Sequence, residues 1–315
     1  MKALVAAALA AWSVAALAQG VPFSFAVLGD TPYNALEVLA VQHMLRQADQ
    51  AGVAFVVHVG DLKAASEPCS DRLLRERYAL LDASPRPLVY VPGDNEWTDC
   101  HRQSAGGYDP RERLDALRRI FFPDDESLGR QKLRLLRQGD EDPRFRPYRE
   151  NVRWIAGNVV FVTFNLPGSN NNLGRNARME AEHAARMTAN FAWLAQAVEL
   201  ARQPAIRGLV VFAHGDPRFD RPADPADDGF TGWRYALRAH VSTLDKPVLY
   251  VHGDGHRYRV DQPLRDLLTH DRIATFTRVE VFGSPGVGWV RVKVDPDAAP
   301  PFAIAPGGDP PPTTQ

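Results

Sequence analysis

The sequence predicts an α/β fold in which two β-sheets pack against each other and helices flank both outer faces. Short apolar runs, typical of buried parallel strands, alternate with amphipathic helical segments along most of the chain. Seven Gly-Asp pairs occur, and five of them directly follow such a run. The last two apolar runs are joined by a short Gly-Pro-containing turn, which is typical of antiparallel strands. Parallel units followed by antiparallel strands favour two packed sheets in one domain.

Composition divides the chain into three segments. Residues 1–18 have the pattern of a secretory signal peptide, in which Lys2 precedes an apolar run that ends in an A-x-A cleavage site. The run is shorter than the ~20 residues that cross a bilayer, so we expect a periplasmic or secreted protein without a membrane anchor. Residues 19–295 are predicted to form one domain. Residues 296–315 are Pro-rich and are predicted to be a disordered tail.

Charge and cysteine content exclude some classes of function. The formal net charge is −1, and no basic tract or interleaved aromatic stripe indicates a nucleic-acid partner. The two cysteines, Cys69 and Cys100, each lie in a loop after a predicted strand end. An even pair in an exported protein favours a disulfide, which would stabilise the fold by roughly 3–4 kcal/mol in the chain-entropy model. A metal-binding or nucleophilic cysteine pair is the alternative, but the spacing fits no zinc pattern.

The first half of the chain is predicted to contain three strand–helix units. Each helix has a recognisable start: Asn34 caps the first, the second begins near Ser70, and Pro110 opens the third. The predicted strands are Phe23–Leu28, Val53–Val59 and Leu88–Val91, and the second helix is predicted over Ser70–Leu81.

The second half begins with a predicted hairpin whose strands are separated by Ala156-Gly157-Asn158. Two further strands follow, each preceded by a helix, and the last two runs are predicted to pair with each other as antiparallel strands. In chain order the segments are Val152–Ile155, Val159–Phe164, the helix 178–201, Leu209–Phe212, the helix 233–243, the strand ending at His252, and the runs Ile273–Phe282 and Val287–Val294.

Metal-binding residue types follow five of the predicted strands. Open α/β sheets bind ligands just beyond the carboxyl ends of their strands, so these side chains are expected to converge. Carboxylates and imidazoles in one small volume indicate a metal site. The motifs are Gly29-Asp30-Thr31-Pro32-Tyr33, Gly60-Asp61-Leu62-Lys63, Gly93-Asp94-Asn95-Glu96-Trp97, Ala213-His214-Gly215-Asp216-Pro217 and Gly253-Asp254-Gly255-His256.

In this order, the motifs resemble those of the calcineurin-like metallophosphoesterase superfamily, whose members carry Asp-x-His, Gly-Asp, Gly-Asn-His-Asp/Glu, a lone His and Gly-His-x-His. The resemblance covers about residues 23–295. It implies a double-sheet sandwich with two metal ions at one end. It also implies hydrolysis of a phosphomonoester or phosphodiester by a metal-bound hydroxide. By this resemblance Asp30 and His256 would bind the first metal, Asp61 would bridge both, and Asp94, His214 and Asp254 would bind the second.

The chain departs from the family pattern at positions that bear on chemistry. Pro32 stands where the family has a ligating His, and Tyr33 is a neighbouring oxygen donor that could substitute. Asp94 replaces a ligand Asn, and Asp254 replaces the first His of the last motif. The second site would then hold three carboxylates and one imidazole, which favours Mn²⁺ or Mg²⁺, with Fe or Zn as alternatives.

Asn95 and Glu96 occupy the candidate catalytic positions. Asn95 replaces the His that serves the family as proton donor, and an amide cannot act as a general acid. Glu96, His101 and His252 are the nearest groups in sequence that could protonate a leaving group. A leaving group of low pKa would need no acid.

Several other polar residues allow two interpretations. Lys63 and Arg102 follow ligand-bearing strand ends and could neutralise a phosphate, or they could be solvated loop charges. The Asn-rich segment Asn165–Asn172 could contact substrate, although an Asn-rich turn is the simpler account. Asp216 is interpreted as a turn cap rather than a ligand.

Two other classes of function remain as alternatives to the phosphoesterase. A binding or regulatory protein on the same fold would hold one metal, or a phosphorylated ligand, without turnover, and Pro32 and Asn95 favour it. A serine hydrolase or a nucleotide-binding α/β protein is the second alternative. The sequence contains no G-x-S-x-G, G-x-x-x-x-G-K-[ST] or G-x-G-x-x-G motif to support it. The expected partner is therefore a phosphorylated small molecule or a phosphodiester.

Overall fold

A computed structural model of the chain describes residues 20–221, 227–266 and 268–308. The predicted signal peptide and the end of the predicted tail, residues 309–315, lie outside the described residues. Within these ranges no helix combines the length and apolarity needed to cross a membrane.

The first sheet has five strands in the order β12-β11-β1-β2-β3. Strands β1, β2 and β3 run parallel, as the strand–helix units predict, whereas β11 is antiparallel to β1 and β12 is antiparallel to β11. Their bounds are β1 (Phe23–Leu28), β2 (Val56–His58), β3 (Leu88–Tyr90), β11 (Trp289–Val294) and β12 (Phe302–Gly307).

The second sheet has seven strands in the order β4-β5-β6-β7-β8-β10-β9. The predicted hairpin is confirmed as the antiparallel pair β5 and β6, and β6, β7, β8 and β10 are parallel. The bounds are β4 (Leu136–Arg137), β5 (Val152–Ala156), β6 (Val159–Thr163), β7 (Gly208–Phe212), β8 (Val248–His252), β9 (Arg259–Asp261) and β10 (Phe276–Glu280).

Helices cover the outer face of each sheet, so the fold has four layers. Apolar residues of α1, α2 and α3 pack on the five-stranded sheet, and those of α6 and α7 pack on the seven-stranded sheet. Asn34 and Ser70 cap α1 and α2 through their side chains, as expected. The helices are α1 (Ala35–Gln50), α2 (Asp71–Asp82), α3 (Pro110–Phe121), α4 (Gln138–Glu141), α6 (Ala177–Arg202) and α7 (Thr231–Val241). Between α4 and α6 lies the short segment α5 (Gly168–Asn171), in which Ser169 and Asn170 have left-handed backbone angles instead of those of a right-handed helix.

The inner faces of the two sheets bury a common aromatic and aliphatic core. Phe25 and Phe55 of one sheet region meet Phe161 and Phe212 of the other, with ring centroids 5–6 Å apart. Because the alternate residues of the same strands face the helices, most strands are buried on both sides. This explains why they read as continuous apolar runs.

Two predictions about the C-terminal part are wrong. The runs 273–282 and 287–294 do not pair with each other: β10 lies parallel to β8 in one sheet, and β11 pairs with β1 in the other. The turn between them therefore crosses from sheet to sheet. The predicted disordered tail contains β12, because Phe302 and Ile304 pack against the inter-sheet core while their backbones pair with β11.

Candidate metal centre

The carboxyl ends of the parallel strands of both sheets meet at one end of the sandwich. The His214 imidazole, which follows β7, lies with its Nδ1 2.8 Å from the Val59 carbonyl after β2. The Asp254 backbone N–H, which follows β8, donates to Asp30 Oδ1 after β1 at 2.9 Å. The structure thus brings together the six residues predicted to ligate metal: Asp30, Asp61, Asp94, His214, Asp254 and His256.

Backbone conformation at these strand ends is unusual. Four of the six residues have φ in the left-handed region, at 52° for Asp30, 55° for Asp61, 72° for Asp254 and 58° for His256. Such conformations cost free energy and concentrate at functional sites. The turns also need close approach, since a Cβ on Gly60 (φ +97°) would lie 2.6 Å from His214 Nδ1. These turns therefore bring the carboxylates together at one end of the sandwich.

Asp61 lies at the centre of the cluster. Its Oδ1 accepts hydrogen bonds from the backbone N–H groups of Asp94 and Asn95 at 3.1 and 3.0 Å. Its Oδ2 accepts from Asn95 Nδ2 at 2.6 Å and from the Tyr33 hydroxyl at 2.9 Å. The same carboxylate lies 3.4 Å from His214 Nε2. These contacts fix both oxygens of Asp61 between two groups of potential ligands.

On one side of Asp61, the side chains of Asp30, Tyr33 and His256 lie close to one another. His256 Nε2 lies 3.5 Å from Asp30 Oδ1 and 3.3 Å from the Tyr33 hydroxyl. His256 is oriented by a contact of 2.8 Å between its Nδ1 and the Ser284 carbonyl. Tyr33 thus occupies the side on which Pro32 removes a potential ligand.

On the other side, His214 Nε2 lies 3.7 Å from Asp94 Oδ1 and 3.9 Å from Asp254 Oδ1. Gly168 closes this side, because a Cβ at its position would overlap Asp254 Oδ1 and lie 2.7 Å from Asp94 Oδ2. His214 is fully buried and is within reach of both groups of carboxylates.

Protonation equilibria reflect the crowding of carboxylates. Burial raises the pKa of Asp30 to about 7, against the opposing effect of the His214 imidazole. Burial and then the neighbouring Asp94 raise the pKa of Asp61 well above its usual range. Burial also raises the pKa of Asp254. Burial disfavours charge on Asp94 and His214 as well. The His214 imidazole nevertheless lowers the pKa of Asp94, and the carboxylates of Asp61 and then Asp94 raise the pKa of His214.

The donor set fits divalent cations. Asp30 Oδ2 and His214 Nε2 are buried and have no hydrogen-bond partner among the described residues, which is costly for polar atoms unless another group satisfies them. Carboxylate oxygens and imidazole nitrogens are suitable ligands for such ions. A cation would also relieve the repulsion that raises the carboxylate pKa values.

The two candidate catalytic residues face inward. Asn95 is nearly buried, and its side-chain amide holds Asp61 as described above. Glu96 is fully buried and accepts a hydrogen bond from the Leu62 backbone N–H. Burial raises its pKa. This placement does not favour Glu96 as a proton donor to a substrate, because its carboxylate is occupied by the hydrogen bond to the loop that follows Asp61.

Of the other two predicted proton donors, His252 is buried and His101 is exposed. His252 is fully buried, and its Nε2 lies 4.0 Å from Asp216 Oδ1, away from the six-residue cluster. His101 is exposed, with Nδ1 2.9 Å from the Thr98 carbonyl. Lys63 is buried and donates to the Ala64 carbonyl, so the interpretations of Lys63 as a substrate ligand and as a solvated charge both lack support.

A third group of possible ligands, Asp216, His252 and Glu280, lies beside the cluster. The sequence did not indicate it, because Glu280 ends β10 without a Gly-Asp signal. Arg259 pairs with both carboxylates and lies 2.7 Å from Asp216, and Arg278 lies 3.5 Å from Asp216. These guanidinium groups already balance the acids, so the group is an ion-pair network. Asp216 Oδ1 also accepts from the Arg218 N–H, which agrees with its interpretation as a turn cap.

The cysteine prediction is confirmed. Cys69 and Cys100 are joined by a disulfide, with their Cα atoms 5.8 Å apart. Both sulfur atoms are buried against the Asn95 carbonyl, at 3.3 and 3.6 Å. The disulfide therefore supports the loop that carries Asp94 and Asn95.

Neither a family model nor a curated protein matches the chain, but solved structures do. A dimetal phosphatase from Danio rerio superposes with a TM-score of 0.54 at 16% identity, over 91% of this chain and 96% of that chain. The structure of PhoD gives 0.54 at 13%, over 92% and 70%. The purple acid phosphatase PPD1 from yellow lupin seeds gives 0.52 at 13%, over 88% and 50%.

The chain has the calcineurin-like metallophosphoesterase fold. The superpositions with these phosphatases confirm the resemblance and the fold class predicted from the motifs. The same fold is shared by GAP50, described as the anchor in the inner membrane complex of Plasmodium, with a TM-score of 0.50 at 11% identity over 93% of this chain and 90% of that chain. The metallophosphoesterase fold thus occurs both in enzymes and in a protein described by an anchoring role.

Proposed function

We propose that the protein is an exported, metal-dependent phosphoesterase that hydrolyses phosphomonoesters or phosphodiesters. The observation that supports this most strongly is the convergence of four aspartates and two histidines from both sheets in one cluster. Two of their buried polar atoms lack any partner among the described residues. The superposed proteins include a dimetal phosphatase and a purple acid phosphatase, which point to the same chemistry.

The proposed ligands follow the two sides of Asp61. Asp30 and His256 would hold a first cation, Asp61 would bridge, and Asp94, His214 and Asp254 would hold a second. When bound, divalent cations would neutralise phosphate oxygens and activate water for attack. Because three carboxylates and one imidazole surround the second position, we expect Mn²⁺ or Mg²⁺ in preference to Fe or Zn.

The remaining residues orient this machinery. Asn95 fixes the bridging carboxylate through its side-chain amide, and Glu96 fixes the loop behind it through the Leu62 N–H. Neither is placed to protonate a leaving group. We therefore infer that esters with leaving groups of low pKa are the better substrates, with the exposed His101 as the remaining candidate acid.

The test compares metal-stripped protein with and without Mn²⁺ on a nitrophenyl phosphomonoester and on a bis-nitrophenyl phosphodiester. Asp61→Asn should lose at least roughly 100-fold in kcat, because the bridging charge is removed. Asp245→Asn is the matched control, because Asp245 is exposed and precedes the amino end of β8, whereas Asp254 follows the carboxyl end of that strand. Metal-independent hydrolysis, or full activity in Asp61→Asn, would overturn the proposal.

A second candidate function is a binding protein on the same fold. Pro32 and Asn95, which replace a ligand and a proton donor of the family, favour it. The anchoring role by which GAP50 is described favours it as well. Such a protein would bind one cation, or a phosphorylated ligand, and hydrolyse neither ester in the assay above.

Export is proposed on two observations. The first eighteen residues have the signal-peptide pattern, and the protein contains a disulfide, which persists in oxidising compartments. N-terminal sequencing of protein from the periplasm or medium should find Gln19 as the first residue, whereas an intact Met1 on the recovered protein would contradict export by this signal.

A further inference from the structure

A left-handed turn stands next to the candidate metal centre. Ser169, Asn170, Asn171 and Asn172 have φ values of 47°, 56°, 53° and 65°. Single non-glycine residues adopt this conformation occasionally, but four in succession are exceptional, because each places its Cβ against its own backbone. Such a segment persists only where the surrounding structure determines it, and this commonly occurs at functional sites.

Buried polar groups hold the turn in place. Arg186, fully buried, donates to the side-chain and backbone oxygens of Asn171 at 2.5 and 3.0 Å. Asn171 Nδ2 donates to the Gly229 carbonyl at 2.9 Å, and Asn172 Nδ2 donates to Glu182 at 2.7 Å. Hydrogen bonds to Arg186, Glu182 and Gly229 therefore offset the strain of the turn.

The first residues of this segment connect the metal centre to a pair of arginines. Gly168, directly before the turn, abuts the carboxylates of Asp94 and Asp254. The next residue, Ser169, donates from its hydroxyl to Asp99 Oδ2 at 2.7 Å and accepts from Arg102 Nη2 at 3.5 Å. Gly168 therefore contacts two of the proposed metal ligands, and the next residue, Ser169, contacts Arg102.

Asp99 alone does not balance the charges of the two arginines that pair with it, and two further carboxylates beside the turn, those of Asp94 and Asp254, belong to proposed metal ligands. Asp99 is almost fully buried and pairs with Arg175 at 2.7 Å and with Arg102 at 2.8 Å. Two guanidinium groups therefore share one carboxylate. Arg175 is mostly covered, whereas 47% of the Arg102 side chain remains exposed. The excess positive charge lies on Arg102.

The charge balance at the metal centre suggests a role for the positive charge on Arg102. The four aspartates among the proposed ligands would together neutralise two divalent cations, so the loaded centre would coordinate phosphate oxygens but would leave the two negative charges of a phosphate dianion unbalanced. A planar guanidinium can bind two oxygens of a terminal phosphate at once. A phosphodiester carries one charge and lacks the third unesterified oxygen.

We propose that Arg102, positioned by Ser169 and the left-handed turn, binds the terminal phosphate of the substrate and makes the enzyme prefer phosphomonoesters. The inference rests on the proposed function and narrows its substrate class. Arg102 is the binding residue, and Ser169 is a positioning residue. Arg102 is thus assigned the phosphate-neutralising role that its sequence position suggested.

The test uses the full mature chain loaded with Mn²⁺. Inorganic phosphate binding is measured by calorimetry, and kcat and KM are measured for nitrophenyl phosphate and bis-nitrophenyl phosphate. Arg102→Gln should weaken phosphate binding and raise the monoester KM by roughly 10- to 100-fold, as expected for a charged hydrogen-bonding group, with a much smaller rise for the diester. Arg178→Gln is the matched control, since Arg178 is an exposed arginine paired with Asp109 instead.

Ser169→Ala should shift the same constants in the same direction but less, and it should add nothing to Arg102→Gln in the double variant, because both act through one contact. Equal behaviour of Arg102→Gln and Arg178→Gln, or equal KM changes for both esters, would overturn the inference. Phosphate binding that depends on Arg102, without turnover of either ester, would support phosphate binding by Arg102 and refute the proposed phosphoesterase activity. Metal-dependent turnover with unchanged phosphate affinity in Arg102→Gln would refute the binding role alone.

Discussion

The stability of the metal-free protein should depend strongly on pH. The pKa of Asp30 is raised from 3.8 to about 7 by burial. A carboxylate with a raised pKa holds its proton longer in the folded than in the unfolded chain, so stability falls as pH rises above the unfolded value. The raised pKa of His214 acts in the same direction, because the favourable charge on the imidazole is lost as pH rises. The lowered pKa of Asp94 acts in the opposite direction, but it does so in strong acid.

The size of the effect follows from the shift at Asp30. Between pH 5 and pH 8 the linkage relation gives a loss of roughly 2–3 kcal/mol from this one group. For a domain of this size, that corresponds to a fall in Tm of roughly 5–10 °C. Saturating Mn²⁺ should remove most of the slope and raise Tm, because a ligand that binds only the folded state stabilises it by mass action.

Differential scanning fluorimetry of chelator-treated protein across this pH range, with and without Mn²⁺, measures both quantities. Asp245→Asn, carried as a control, should follow the wild type. A metal-free Tm that stays level or rises from pH 5 to pH 8, or a Tm that Mn²⁺ leaves unchanged, would refute the assignment of these aspartates to a cation site.

Three further predictions concern single features of the centre. Tyr33→Phe removes an oxygen that lies 2.9 Å from Asp61 and 3.3 Å from His256. In a metal titration we expect one of two cations to bind roughly 10-fold more weakly. Unchanged affinity at both positions would exclude Tyr33 as a metal ligand or as a support for one. Gly168→Ala would place a Cβ against Asp254 and Asp94 and should reduce the amount of bound metal without unfolding the protein. Gly286→Ala, whose Cβ would have its nearest neighbour atom at 3.8 Å, should leave the metal content unchanged. Equal metal content in the two variants would contradict the packing described. Replacing both Cys69 and Cys100 by Ala removes a link between positions 31 residues apart and should cost roughly 3–4 kcal/mol in urea unfolding; a loss below about 1 kcal/mol would show that the crosslink contributes little.

The strand ends were predictable because their signals are local. A Gly-Asp pair after an apolar run identifies both a buried strand and the side chain that follows it, and the order of five such pairs indicated the fold and the six clustered residues. Helix starts at Asn34, Ser70 and Pro110 were predictable for the same reason, since a cap acts within one turn.

Features that depend on distant partners were not predictable. The pairing of β11 with β1 joins segments from opposite ends of the chain, and the Pro-rich composition of the tail concealed Phe302 and Ile304, which belong to β12. The left-handed turn depends on Arg186, which lies on α6 and gives no signal near Asn171. Glu96 was expected at the centre by its position near Asp94, but its burial and its hydrogen bond to the Leu62 N–H depend on tertiary contacts.

The number of metal ions bound per chain tests the central claim most directly. Elemental analysis of the purified mature protein, together with Asp61→Asn and Asp245→Asn, should find about two divalent cations in the wild type and the control and a clear deficit in Asp61→Asn. If wild-type protein equilibrated with Mn²⁺ retained none, the four aspartates and two histidines would not constitute a metal centre.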